Sequence, residues 1–249
     1  METNYYPTKS IVETMNEARE NFKNTYGRLL TEEEAINLTR EIKANLKMED
    51  KNEKKEVEML RPIDDIFFGK IIEDKDVCEE ILRVILVDEK LEVLSVTPQC
   101  NINNLYEGYV RLDAFCKLGT DELCNIVVLK TNNGDYIRRE RINASHFIMN
   151  NTGIEKNNID APKITMVCIS TIDMFNKGRT IYHCKKVIEG IDKEIDYGLK
   201  EIYVNTAIND GSIISELMEC FTQEQVNNEK FPLLSKRVGY LKMCERIDS

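Results

Sequence analysis

The sequence predicts an α/β protein, with a mixed central sheet flanked by helices and an N-terminal helical hairpin in front of it. Three observations carry this expectation. Beyond Met59 the segments run helix, three strands, helix, strand, an order that fits a layered α/β architecture. Lys163–Thr171 (KITMVCIST) is a nearly continuous apolar run, as expected of a strand covered on both faces. Before Met59, two capping-box patterns each open an amphipathic stripe. A chain of 249 residues suits one sizeable domain with an appendage. We divide it into an N-terminal extension over 1–58 and a domain over 59–249.

In the extension, Ser10-Ile11-Val12-Glu13 and Thr31-Glu32-Glu33-Glu34 place a hydroxyl and a carboxylate where they can satisfy free amides at a helix start. Ile11, Met15, Ala18 and Phe22 recur at helical spacing after the first, and Ala35, Leu38, Ile42 and Leu46 after the second. Tyr26-Gly27 separates the two. One modest apolar stripe per helix is too little to fold alone. The stretch MEDKNEKKEVE, just beyond Leu46, reads as a solvated linker or helix face.

In the domain, Ile66, Phe67 and Ile71 open a helix. A second runs from Val77 to Val87, with Ile81, Leu82, Ile85 and Leu86 on one side. Leu91–Thr97 has strand composition. Tyr109–Lys117 and Leu123–Leu129 are strands joined by the turn Leu118-Gly119-Thr120-Asp121, forming a β-hairpin. Tyr136–Asn150 reads as a helix with Ile137, Ile142 and Phe147 inward. Thr180–Val187 and Glu201–Thr206 are further strands, and Ser212–Phe221 and Leu233–Ile247 further helices.

Composition bounds the function. Lys and Arg number 34 against 44 Asp and Glu, a formal net charge of −10. That disfavours a general nucleic-acid coat but permits a local basic site, because affinity depends on the charges that reach phosphate. No apolar run approaches the ~18 residues of a membrane span, and METNYYPTKS lacks the apolar stretch of a secretory signal. We therefore expect a cytoplasmic protein with no membrane partner. The eight cysteines are scattered singly with no CxxC pair, so they read as reduced core residues rather than a zinc or thioredoxin-type site. His146 and His183, the two histidines, lack ligand spacing and read as structural or surface residues. No P-loop, dinucleotide-binding glycine loop or nucleophile elbow occurs.

The segments RPIDDIFFGKII (61–72), VRLDAFCK (110–117), CNIVVLKTNNGDYIRRERINAS (124–145), VCISTIDMFNKGRTIYHCKK (167–186) and KEIYVNT (200–206) together resemble the PD-(D/E)XK nuclease family that includes transposase-associated and recombination-promoting nucleases. The likeness spans about residues 59–210 and omits the extension. It implies a restriction-endonuclease-like core and magnesium-assisted phosphodiester hydrolysis. In that chemistry an Asp on the second strand and a Glu on the third converge on Mg²⁺, a hard ion that prefers carboxylate oxygens. The ion polarises the phosphate and activates a water. A Lys or Gln two residues after the Glu lies on the same strand face and orients the water or stabilises developing charge.

The resemblance places the strand aspartate, and with it a catalytic and metal-binding role, on Asp113. The third strand departs from the pattern. Aligning on Asn133-Gly134-Asp135 sets Val127 at the glutamate position and Leu129 at the Lys/Gln position. A slip of one residue brings Lys130 into the catalytic Lys/Gln place but leaves Val128 at the glutamate place. Neither register supplies the carboxylate. Arg138, Arg139 and Arg141 come next; they suit either phosphate binding, as forked donors, or a solvated helix face. Asn143 stands where the family carries an aromatic. Asp64 and Asp65 read as a helix N-terminal cap, with a contribution to the metal site as the lesser reading.

Two nuclease-type expectations compete: a nuclease-fold protein with an impaired metal site that acts by binding nucleic acid or protein, or an active Mg²⁺-dependent DNA endonuclease whose missing carboxylate comes from another element such as Glu107, Glu140 or Asp64. A third expectation, of a different class, is a protein-interaction module acting as an inhibitor or assembly subunit. A homodimer belongs to these expectations by analogy with other enzymes of the fold.

Overall fold

The structure, a computed structural model, describes residues 11–31, 34–35, 37–38, 40, 57–103, 109–130, 136–155 and 158–243; for 99–103, 109–113 and several others it describes the backbone alone. It falls into two compact units, 1–58 and 59–249.

In the first unit, α1 (Ile11–Tyr26) starts directly after Ser10 and ends at Gly27, whose φ of 65° lies in the left-handed region that glycine adopts without strain. The second capping box is formed in both directions: Thr31 N–H donates to Glu34 Oε2 at 2.8 Å, and Glu34 N–H donates to Thr31 Oγ1 at 3.3 Å. Glu34, Ala35, Asn37, Leu38 and Arg40 are helical. Arg28 forks onto the two Glu34 oxygens at 2.8 and 2.7 Å. These contacts hold the Glu34 carboxyl down at about 2, the Arg28 bond being the largest cause. The first capping box and the positions Ile42 and Leu46 lie outside the described side chains.

The second unit is built on a six-stranded mixed sheet. β1 (Val93–Asn103), β2 (Tyr109–Leu118) and β3 (Leu123–Leu129) form an antiparallel meander. Two short hairpins, β4–β5 (Gly153–Glu155, Asn158–Asp160) and β8–β9 (Val187–Ile188, Lys193–Glu194), lie outside the sheet. β6 (Ile164–Ser170) lies parallel to β3 and to β10 (Leu199–Asn205), and β7 (Ile181–Cys184) closes the other edge antiparallel to β10. The order across the sheet is β1-β2-β3-β6-β10-β7. All seven residues of β6 are buried, as its unbroken apolar run predicts.

One sheet face carries the main core. α2 (Asp65–Ile72), α3 (Lys75–Leu86), α5 (Ile213–Thr222) and α6 (Pro232–Met243) pack there, burying Phe67, Phe68, Ile81, Leu82, Phe221 and Leu234 against Ile126, Val128, Val167 and Val204. The Glu80 carboxylate accepts from the N–H groups of Leu233 and Leu234 at 3.1 and 2.9 Å, so a side chain of α3 satisfies the free amides at the start of α6. Burial pushes the Glu80 carboxyl up against these bonds. On the other face, α4 (Tyr136–Asn151) lays Ala144 and Phe147 over Leu123, Ile164 and Met166. Phe147 meets Phe115 edge-on at 4.9 Å.

Several expectations need correction. Ile137 and Ile142 are about half exposed, and Phe147 alone of the expected trio is buried. At 100° per residue a spacing of five sets these side chains about 140° apart, so they cannot share a face. The strand expected over Thr180–Val187 stops at Cys184, and the chain turns into the β8–β9 hairpin. Cys184 is exposed on the edge strand, whereas Cys78, Cys116, Cys124, Cys168 and Cys220 are buried free thiols. β1 runs to Asn103 rather than Thr97. Among the described residues no helix is long and apolar enough to cross a membrane.

Candidate functional site

β2 and β3 pair from Lys117↔Leu123 to Ala114↔Ile126. Asp113 and Val127 hold the next positions along the two strands. The two positions at which the family resemblance sets its carboxylates thus lie one residue beyond the last paired positions of β2 and β3. The side chain of Asp113 lies outside the described residues.

Alternation along β3 assigns its residues to the two faces of the sheet. Ile126 and Val128 face the main core, with Val128 6% exposed. Val127 joins Cys168 and Tyr203 in a separate cluster on the opposite face, with Leu129 packed against it. Lys130 directly follows the strand, and its ammonium forms an ion pair with Asp64 Oδ1 at the start of α2. Since α2 covers the main core face, the position that precedes Lys130 by two on its own side is Val128. Thr171 anchors this end of β3: its N–H donates to Leu129 O at 3.0 Å and its hydroxyl to Lys130 O at 2.7 Å.

Asp64 is 5% exposed. It occupies the N-cap position of α2 with an extended backbone (φ −79°, ψ 121°), but its side chain makes no capping hydrogen bond. The expectation of a capping carboxylate is thus met in position and not in role. The reason is competition for the oxygens. Oδ2 turns back to accept from Arg61 N–H at 2.6 Å, with the Arg61 guanidinium 4.0 Å away, and Oδ1 meets Lys130 as an ion pair rather than through a well-directed hydrogen bond. The tight turn Arg61-Pro62-Ile63-Asp64, closed by Asp64 N–H to Arg61 O at 2.8 Å, makes this return possible. Asp65 Oδ1 accepts from its neighbour Ile66 N–H at 2.8 Å. Burial, and then the positive charge of Arg61, lower the pKa of Lys130.

The result is a small constellation of two cations around one buried anion. Asp64 is buried between Arg61 and Lys130, whose side chains remain 43% and 48% exposed. Such an arrangement can present two donors to an incoming phosphate while the carboxylate fixes their positions. At the β3 position where the resemblance sets a carboxylate the chain holds Val127 or Val128, and Asp64 is already faced by two positive charges. Among the described residues no group of three or more His, Cys, Asp and Glu is arranged to hold a metal ion.

Of the remaining candidates, those whose side chains are described lie on other elements. Arg138 and Arg141 are exposed on α4, the layer on the opposite sheet face, and the Arg139 side chain lies outside the described residues. Glu107 is also outside them, as is the side chain of Glu140. His146 is half-buried and His183 exposed. An open groove of about 630 Å³ lies at the other end of the sheet, lined by Leu118, Glu122, His183 and Lys200 among others, and neither Asp64 nor Lys130 borders it. Sequence reasoning missed Arg61, although its i,i+3 spacing to Asp64 across a proline turn was a usable signal. It also missed Asn125, a fully buried residue of β3 whose amide oxygen and nitrogen have no hydrogen-bond partner among the described residues. No family model, curated protein or solved structure matches the chain.

Proposed function

We propose that this chain is a nuclease-fold protein with an impaired metal site, acting by binding nucleic acid through its phosphates. The observation that carries the reading is the environment of Lys130. On its own face the position two residues earlier is a core valine, Val128, and the carboxylate that does reach it, Asp64, is neutralised by Lys130 and Arg61. Support for a restriction-endonuclease-like core comes from the order helix, antiparallel meander, helix, parallel strand, with Asp113 and Val127 next along the adjacent strands β2 and β3 after their last paired residues. Arg138 and Arg141 add exposed positive charge on α4.

The test uses the full-length protein. Supercoiled plasmid should stay intact in Mg²⁺ and in Mn²⁺, while a fluorescent duplex is retained at low salt. Affinity should fall with rising salt at a slope of about 0.9 per phosphate neutralised. It should weaken on Lys130→Met and on charge reversal of Arg138 and Arg141. No binding at low salt would remove the nucleic-acid reading and favour the interaction module.

A second reading is favoured by one feature of the same site: Asp64 stands beside the motif lysine, where a carboxylate displaced from β3 would need to be. Metal-dependent nicking abolished by both Asp64→Asn and Asp113→Ala would establish that reading and reject the first.

A further inference from the structure

Three thiols from three elements lie in the main core. Cys78 comes from the first turns of α3, Cys116 from β2 and Cys124 from β3, and all three have zero exposure. Cys116 and Cys124 are direct cross-strand partners. Cys78 approaches from the helical layer, its Sγ 3.4 Å from Cys116 Sγ in a thiol–thiol hydrogen bond.

We propose that Cys78 and Cys116 form an oxidative modification site that closes into an intramolecular disulfide when the protein meets a peroxide. The geometry selects this pair from the three thiols. A disulfide needs Cβ atoms about 3.5–4.5 Å apart, whereas directly opposed residues of an antiparallel ladder hold theirs about 4.5–5.5 Å apart, fixed by backbone hydrogen bonds. A helix packed on a sheet can shift by the small distance that the Cys78–Cys116 bond requires. The bond would tie α3 to β2, the strand that carries Asp113.

The chemistry balances with the peroxide as the sole co-reactant. One thiolate attacks a peroxide oxygen, the O–O bond breaks, and a sulfenic acid and one water result. The second sulfur displaces the sulfenic oxygen, which leaves as a second water, and the S–S bond forms. Two thiols and one hydrogen peroxide become one disulfide and two waters. The step is slow in the closed protein because the thiolate is the nucleophile. The hydrogen bond to Cys116, and after it burial, pushes the Cys78 thiol well above its ordinary range. Oxidation therefore waits on α3 lifting from the sheet.

Full-length protein is treated with hydrogen peroxide, with and without sub-denaturing urea, then alkylated after full denaturation and mapped by mass spectrometry without reductant. The expected product is a linked peptide pair carrying Cys78 and Cys116, two hydrogens lighter than the separate peptides, formed faster in urea and lost on reduction. Cys124→Ala should leave that linkage in place, and Cys116→Ala should abolish it. The wild-type map decides the matter where a variant fails to fold. Oxidation confined to the exposed Cys184, with Cys78 and Cys116 recovered alkylated in both conditions, would overturn the proposal, as would a Cys116–Cys124 linkage in their stead.

Discussion

The ammonium of Lys130 rests on the carboxylate of Asp64, joining the end of β3 to the start of α2 across 66 residues of sequence (130 − 64). Asp64 is buried and Lys130 half exposed, so removing the lysine strands a buried charge with Arg61 as its remaining cation. Breaking a fully buried pair costs several kcal/mol, but the exposure of Lys130 reduces that figure. We expect Lys130→Met and Asp64→Asn each to destabilise the domain by about 1 kcal/mol, and the double variant by less than their sum, with a coupling of about 1 kcal/mol. Urea unfolding of the four proteins measures the cycle. Additive effects would show that the two side chains do not interact in solution.

α3 ends on Val87, which adopts the left-handed conformation (φ 54°, ψ 43°) and is 78% exposed. A β-branched residue is strained there, whereas glycine is not. Val87→Gly gives up little packing and keeps the backbone bond from residue 87 N–H to Arg83 O. It should raise stability by about 1 kcal/mol, partly offset by the greater freedom of glycine in the unfolded chain. Thermal unfolding would show a midpoint higher by about 2–4 °C. A lower midpoint would mean that the helix does not end in this way.

These two sites mark what the sequence could and could not show. β2, β3 and β6 lie within about a residue of their expected bounds, because alternation or an unbroken apolar run spans each of them. The β8–β9 hairpin has two residues per strand, too few for any period to register. That Val127 or Val128 stands where the resemblance would set a strand carboxylate is legible from the sequence alone. The partner of Lys130 is not, because a contact between the start of α2 and the end of β3 is made by the packing of helix on sheet and leaves no local periodicity. Val87 was likewise invisible: nothing in Leu86-Val87-Asp88 signals a left-handed residue, where a glycine would have.

The Glu34 carboxyl, held at about 2 against an ordinary 4.5 by its bonds to Arg28 and Thr31, gives the extension a pH dependence of known sign. A carboxyl depressed by folding contributes stability above its unfolded pKa and loses it as pH falls through the folded one. The capping box should therefore be intact above pH 4.5 and open progressively down to about 2. Side-chain carboxyl NMR of the full chain should find Glu34 titrating near 2, and Arg28→Gln should move it upward. An unshifted titration in the unmodified protein would mean that the Arg28–Glu34 fork does not persist.

Asn125 offers the clearest test of packing beside the candidate site. It sits on β3 two residues before Val127, fully buried, with neither end of its amide hydrogen-bonded among the described residues. A buried polar group without partners costs about 1–3 kcal/mol, and an apolar side chain of similar shape avoids that cost. Its strand neighbours on either side are Phe115 and Met166, so the surroundings are ready to receive a hydrocarbon. Asn125→Leu should stabilise the domain by about 1 kcal/mol, read as a higher urea midpoint with an unchanged slope. Asn125→Ala gains the same relief but leaves a cavity, so it should rank below leucine. Loss of stability with leucine would indicate that the amide is satisfied in solution, by a bound water or by a group that approaches this face of the sheet.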